Sequence, residues 1–597
     1  MSLLLAGVTA VALAGCGIGV PQGVTVDGPG PSAGPGLASS QNEKPPKWSP
    51  TVLDPGRLVL DFLQAAAGDH AENGHTAVMT DVRKFLKDGE GWDPGPDLKL
   101  VRIVEGPSTS SRALTADVTL RYLGTIKPNG VVIPNERPYQ EQHTFTFTPG
   151  PGGAGLVLVK QPKELLLDVE SLTRYYTKLP IYFWNADNTS LVPDVRYMPT
   201  AVPEEQRNNR LFDWLIEGSS EWLRDAVKQV PVDTHRVGSI VEDAQQVTVN
   251  LDALADDTSR ERLAAQLHWT LWPEGSQRLQ LQMEGRNVET GYRFPDKNLA
   301  AAVPRGADPG RYAVVDGALR RLRWGNDHRG VLRLDDAVNR NVATAAVARD
   351  EAAFALVRNE GGGQRLYIGP ANDLIGRVDN LHAETMSRPI WLDRSSNIAL
   401  VLADGRPWVV GARERKAVEV STPADKPITG LTVAPDGRRV ALVTGGDLYV
   451  AVLKRGPKLT YSVGPLHKVP TSLDGRLKEV AFMQEDTLVV TGSGDKVEWA
   501  QVTVDGAVEE LFRPNQRGVA TNLTAYVANA GRSMTTGSVA LDLDGRANLI
   551  SGSTPTPVDD QTMPVLPPEP SPSASPSASA SPAPPIEPVL SAACFEG

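Results

Sequence analysis

Val433-Ala434-Pro435-Asp436-Gly437-Arg438-Arg439-Val440-Ala441-Leu442-Val443 reads as strand, tight turn, strand. The turn is Pro435-Asp436-Gly437. Proline presets the backbone, aspartate accepts nearby N–H groups, and glycine tolerates positive φ. The pattern recurs upstream as Trp391-Leu392-Asp393-Arg394-Ser395-Ser396-Asn397-Ile398-Ala399-Leu400-Val401. It recurs again as Val347-Ala348-Arg349-Asp350-Glu351-Ala352-Ala353-Phe354-Ala355-Leu356-Val357. A weaker copy spans Ala481 to Thr491. Ala355, Ala399 and Ala441 place the strong copies 44 and 42 residues apart. A repeat of about 43 residues is the length of a four-stranded propeller blade. A further strand follows each copy, at Leu366–Ile368, Trp408–Val410 and Leu448–Val450. Weaker fragments near Tyr312 and Tyr526 suggest end blades. The spacing predicts an all-β propeller of five or six blades over 305–553.

The chain has 597 residues, too many for one core, since cores stop growing near roughly 250 to 300 residues. A multidomain protein is expected. Net charge is −11, and no run of Lys or Arg supplies the basic footprint that nucleic acid requires. Two cysteines, Cys16 and Cys594, exclude a disulfide scaffold and a cysteine zinc site.

Two α+β regions precede the repeat. In 51–168, helices at Pro55–Ala67 and His75–Leu86 come first. Strands at Leu98–Val104, Ala113–Leu123, His143–Phe147 and Gly155–Lys160 follow. Helices before a curved antiparallel sheet are similar to NTF2-like folds. His70, His75 and Asp81 lack catalytic spacing and read as surface or capping residues. In 169–295, an aromatic strand, Leu179 to Trp184, precedes Leu191-Val192-Pro193-Asp194-Val195-Arg196. Glu204–Glu217 is an amphipathic helix with Leu211, Phe212, Leu215 and Ile216 on one face. Arg236–Val241 and Gln246–Leu251 read as a strand pair. Thr258 with Glu261 forms a capping box opening a helix that carries Leu263, Leu267 and Leu271.

The ends have their own character. Met1 to Val26 bears no charged side chain. Its apolar stretch, Leu3 to Leu13, has the length of a signal peptide's core and is short for a membrane span. It closes in Leu13-Ala14-Gly15-Cys16, which resembles the lipobox of bacterial lipoproteins. The resemblance implies a signal peptide over 1–15, cleavage between Gly15 and Cys16, and S-diacylglycerol with an N-acyl group on Cys16. One departure is the absence of Lys or Arg before the apolar stretch. Residues 16–50 read as a flexible tether, rich in Gly, Pro and Ser. From Pro567 to Pro588 there are 9 Pro, 6 Ser and 4 Ala. Such a segment buries no core, and 554–597 reads as a disordered tail with Cys594 of unknown use.

The metal, nucleophile-elbow, phosphate-loop and dinucleotide motifs are absent from the sequence. It calls for no catalytic residue, metal or cofactor. Asp436 is expected to accept backbone N–H bonds. The strand Leu179–Trp184, "LVPDVR" at 191–196, "SIVEDAQQVTVNLD" at 239–252 and "QLHWTLW" at 266–272 resemble a GerMN module, a family named for spore germination. Lipobox, tether, α+β domain, GerMN-like module and propeller, in that order, resemble the LpqB family of actinobacterial lipoproteins. That resemblance implies a protein that is not an enzyme. It would be held on the extracytoplasmic face of the cell membrane by the lipid on Cys16. There it would bind a sensor histidine kinase of the MtrB type and influence cell-envelope homeostasis and division. A solute-binding lipoprotein and a propeller enzyme acting on wall glycan are the competing classes.

Overall fold

Asp54 starts the first helix. Its carboxylate accepts the Arg57 N–H at 2.6 Å, and Pro55 follows at the first helical position, where a missing N–H costs nothing. The computed structural model describes residues 44–595, apart from 72–73, 111, 232, 244–245, 253–256, 272–277, 289–309, 324–329, 393–396, 528–537, 559–562 and 565–589. In the first domain, α1 (Pro55–Ala65) and α2 (His75–Val82) precede strands β1 (Leu98–Ser110), β2 (Thr115–Ile126), β3 (Val132–Pro149), β4 (Leu156–Leu158) and β5 (Leu165–Asp168). The sheet order is β4-β3-β2-β1-β5. Burial alternates along the first half of β2, with Ala116, Val118 and Leu120 buried. That is the period-two pattern of a half-buried strand. β3 is much longer than His143–Phe147, because its exposed polar half carries no hydrophobic alternation to read.

Asp168 caps the short α3 (Val169–Tyr175), accepting from Glu170 N and Ser171 N. The second module follows with β6 (Tyr176–Asn185), β7 (Leu191–Pro199), α4 (Glu204–Glu217), β8 (Val227–Lys228), β9 (Val241–Glu242), β10 (Gln246–Leu251), α5 (Asp257–Leu271), β11 (Arg278–Met283) and β12 (Arg286–Val288). Two sheets result, β7-β6-β8 and β12-β11-β10-β9. β10 and β11 run parallel, with α5 between them in the chain, as parallel strands require a crossover. Leu263, Leu267 and Leu271 are buried on α5 as their spacing predicts. The expected strand Arg236–Val241 is corrected. Only a bridge at Arg236 and the two-residue β9 pair with this part of the sheet.

From residue 310 onward the described chain forms six sheets. Sheet I contains Arg311–Val315, Ala318–Arg323, Met563–Pro564 and Leu590–Phe595. Sheets II to VI follow in sequence at 342–383, 390–419, 428–469, 477–512 and 520–557. Each of the strong sequence copies falls on the first two strands of sheets II, III and IV. Apolar cores join I to II, II to III, III to IV, IV to V, V to VI and VI back to I. The ring is therefore closed, which leaves each sheet only short inner and outer edges. Hairpin turns repeat around it. Asp404 and Gly405 both have positive φ, the geometry of a turn whose twist matches its flanking strands. The Asp404 carboxylate also accepts Thr385 N at 2.9 Å, tying the turn to the link entering its own sheet.

Closure corrects two sequence expectations. The ring does not end at 553, and 554–597 is not wholly a disordered tail. Thr554–Pro557 completes sheet VI, and Met563–Pro564 lies at the rim of sheet I. Leu590–Phe595 then becomes the innermost strand of sheet I, antiparallel to Arg311–Val315, with Cys594 opposite Tyr312. Asp542 accepts the Ala592 N–H at 2.8 and 2.9 Å. Arg388 reaches from sheet III's entry to donate to Ala593 O at 2.8 Å and Asn522 O at 3.1 Å. Cys594 is 3% exposed, and burial pushes its thiol up to about 11. It packs the closure.

Candidate functional site

The two N-terminal modules bury their contacts on sheets IV and V. One apolar cluster runs from α1 and the first sheet through Val195 and Tyr197 into the core between those two sheets. Val452 of sheet IV joins the second module's own core. Polar pairs then line the seam. Arg102 of β1 donates to Glu509 at 2.5 Å and to Ser472 Oγ at 2.8 Å. Glu509, 1% exposed at its side chain, also accepts Ser472 N at 2.7 Å. Arg121 of β2 donates to Asp474 and to the Thr471 carbonyl.

The second module uses β6 and β7. Lys178 pairs with Asp486 at 2.8 Å, and the Tyr182 hydroxyl donates to Glu485 at 2.8 Å. The Tyr197 hydroxyl donates to Asp505 at 3.4 Å. Here the ring supplies carboxylates, and the modules supply cations and phenols. Sheet IV reverses the sense: Arg438 pairs with Asp187, and Lys454 with Asp225. Burial pushes the Asp486 carboxyl up, and the Lys178 ammonium more than offsets it, so Asp486 sits below its ordinary range. Asp505 lies above its ordinary range because burial dominates there.

A seam of buried apolar contact plus matched charges ties the modules to the ring. Unmatched charges in such a place would cost several kcal/mol, so the pairs also fix register. Arg102→Ala should cost about 2 kcal/mol, because Glu509 keeps its Ser472 donors but loses its cation. Faster amide exchange in β1 and in the 471–474 link, with sheets I and II unchanged, is the expected reading.

The seam leaves other ring surfaces uncovered. A groove of about 590 Å³ lies between sheets III and IV, lined by Asp404, Arg406, Glu419, Asp425 and Lys426 above Val420 and Ile428. In sheet III its turn joins the second and third strands. Glu485–Asp486, Asp505 and Arg438 lie on turns at the other end of the strands.

The lipobox residues Leu13, Ala14, Gly15 and Cys16 lie outside the described residues. Asp436 accepts Arg438 N and Arg439 N as expected, and its second oxygen takes the Arg439 guanidinium, an ion pair its turn position did not announce. Asp81 bridges Lys47 and Lys84 at the surface. His70 departs from a surface role and is buried against His75. Among the described residues no group of three or more His, Cys, Asp or Glu could hold a metal ion, and no helix is long and apolar enough to cross a membrane. Sequence reasoning missed the seam, since its partners lie 229 to 407 positions apart.

A germination-type α+β module fused to a closed β-ring defines the class. The family model described as "Sporulation and spore germination" matches residues 180–289, and that described as "Lipoprotein LpqB beta-propeller domain" matches 317–567. Lipoprotein LpqB of Mycolicibacterium smegmatis is 26% identical, covering 81% of this chain and 87% of that protein. LpqB of Rhodococcus jostii is 26% identical, covering 86% and 89%, and that of Thermobifida fusca is 27% identical, covering 73% and 78%. The chain is a relative of the LpqB lipoproteins over most of its length. Among solved structures, TolB from Acinetobacter baumannii overlaps 34% of this chain and 52% of its own, at 14% identity and a TM-score of 0.27.

Proposed function

We propose that the protein is a lipid-anchored regulator on the outer face of the cytoplasmic membrane. It binds the extracytoplasmic part of an MtrB-like sensor histidine kinase and biases that kinase between its states. The lipid sits on Cys16, after cleavage following Gly15. The first domain is read as NTF2-like, from its helices followed by a curved sheet. The six sheets are read as six blades. The observation that carries the proposal is the seam. It ties the modules and ring together, and a large surface of this kind is suited to protein binding. The relatives named lipoprotein LpqB support the lipid anchor. A regulator of this kind needs only a differential affinity of about 1 to 3 kcal/mol for one kinase state.

Crosslinking the protein in its native envelope, with Cys16→Ala beside it, tests this. A sensor kinase captured by wild type, and a Cys16→Ala protein released from washed membranes, are expected. Capture of transporter subunits or wall glycan alone would move the reading to solute delivery or wall chemistry. Retention of Cys16→Ala in membranes would remove the lipid anchor.

A further inference from the structure

His70 is 5% exposed, just past the end of α1. Its Nε2 lies 2.7 Å from the Ala66 carbonyl oxygen. A carbonyl only accepts, so Nε2 carries a hydrogen, and the neutral ring's lone pair is on Nδ1. His75, the first residue of α2, has its Nε2 3.1 Å from Asp93 Oδ1. A carboxylate also only accepts, so this Nε2 carries a hydrogen too. The two Nδ1 atoms face each other at 2.8 Å. If both rings were neutral, two lone pairs would meet at hydrogen-bond distance with nothing between them.

We propose that His70 and His75 bind one shared proton between their Nδ1 atoms, and that this proton sets how firmly the first domain grips the second module. The shared proton turns a repulsive contact into a charge-assisted hydrogen bond. Asp93 balances the charge from one side and is itself 3.8 Å from Arg83. Asp69 stands on the other side, next to His70 in the chain. Asp69 also accepts two bonds of 3.0 Å from Arg210 of α4. Gly68 accepts from and donates to the Tyr176 hydroxyl at the start of β6. The stretch 66–70 thus presents His70 to α2 and Asp69 and Gly68 to the second module. Losing the proton pushes that stretch away from α2 and loosens Asp69 on Arg210.

The pair takes one proton and resists a second. Burial lowers His70 to about 4. The signs follow. As pH falls from about 6.5 toward about 4, the unfolded chain protonates His70 more readily than the folded one, and stability drops. As pH rises until the shared proton leaves, the contact is lost and the grip loosens. Docking is therefore tightest between these limits.

The experiment uses the full chain. Nitrogen-detected NMR of the histidines reports protonation, and hydrogen exchange of 66–70 and α4 is compared with sheet VI to remove the intrinsic pH dependence. Expected are protonated Nε2 on both rings, one proton shared by the Nδ1 pair, and about tenfold faster exchange at the grip once it leaves. His75→Asn places an amide donor where His75 Nδ1 stands, toward His70 Nδ1, at every pH. It should stay folded and lose the loosening at high pH, while the low-pH limb of His70 remains. Persistence of the high-pH loosening in His75→Asn, unprotonated Nδ1 atoms on both rings near neutral pH, or a divalent metal that a chelator removes from between them would each overturn the proposal.

Discussion

Ending the chain after Pro564 is expected to open the ring. The missing Leu590–Phe595 strand buries Leu590, Ala592, Ala593, Cys594 and Phe595. Returning that apolar surface to water costs on the order of 5 kcal/mol. The loss spreads further. Asp542 loses the Ala592 N–H, and Arg388 loses the Ala593 carbonyl. Tyr312 and Val314 of sheet I, and the joints of sheet I with II and VI, lose their inner cover. Guanidinium unfolding of the full chain and the shortened one measures this. A large fall in midpoint, with proteolytic cuts appearing first in sheets I and VI, is the expected result. A synthetic peptide spanning 588–597, added in trans, should restore part of the midpoint. An unchanged midpoint would mean that the strand decorates a ring already closed.

The second large effect is expected from Arg196→Met. Asp194 and Arg196 are two apart in β7, so their side chains share one face. That face lies inside the second module, and their side chains are 3% and 1% exposed. Asp194 accepts from Arg196 at 2.8 Å, Ser220 N at 2.8 Å and Ser220 Oγ at 2.6 Å. Arg196 also donates to the carbonyls of Gly218 and Asn129, so it ties α4's end and the first domain to β7. Removing the cation leaves a buried carboxylate and orphaned carbonyls, at a cost of about 3 to 5 kcal/mol. The double change Asp194→Leu with Arg196→Met should cost less than the single one, because no charge is then stranded. Chemical unfolding of the wild type, two single variants and the double variant gives the coupling directly. Additive losses would show that the pair does not act as a unit.

What could be read from the chain depended on how local each signal was. The blade copies were legible because both strands and their turn lie within eleven residues, and the 433–443 copy needs no distant partner to be recognised. The LVPDVR stretch was legible as a strand but not as an ion-pair staple, since hydrophobic patterning does not say which face closes. The full length of β3 is not legible, because its outer half follows no apolar alternation. The seam left no trace, because Arg102 and Glu509 look like ordinary surface residues until a fold brings them together. The spacing of His70 and His75 gives no hint that their Nδ1 atoms converge. The closing strand was hidden for another reason. Six residues of modest hydrophobicity stand after a Pro/Ser/Ala stretch, and their partner lies 282 positions back, at Tyr312 against Cys594.

That last separation has a bearing on synthesis. The ribosome makes Arg311–Val315 long before Leu590–Phe595, so the first sheet must wait, with its inner edge unfilled, until Leu590–Phe595 has been made. Sequence-distant contacts form slowly because a long loop must close first. Every product terminated before Leu590 carries an unfilled strand position at the heart of the ring. Synthesis as far as this strand is thereby converted into a physical test that a shorter product fails, and such products present an open sheet edge to proteases and chaperones.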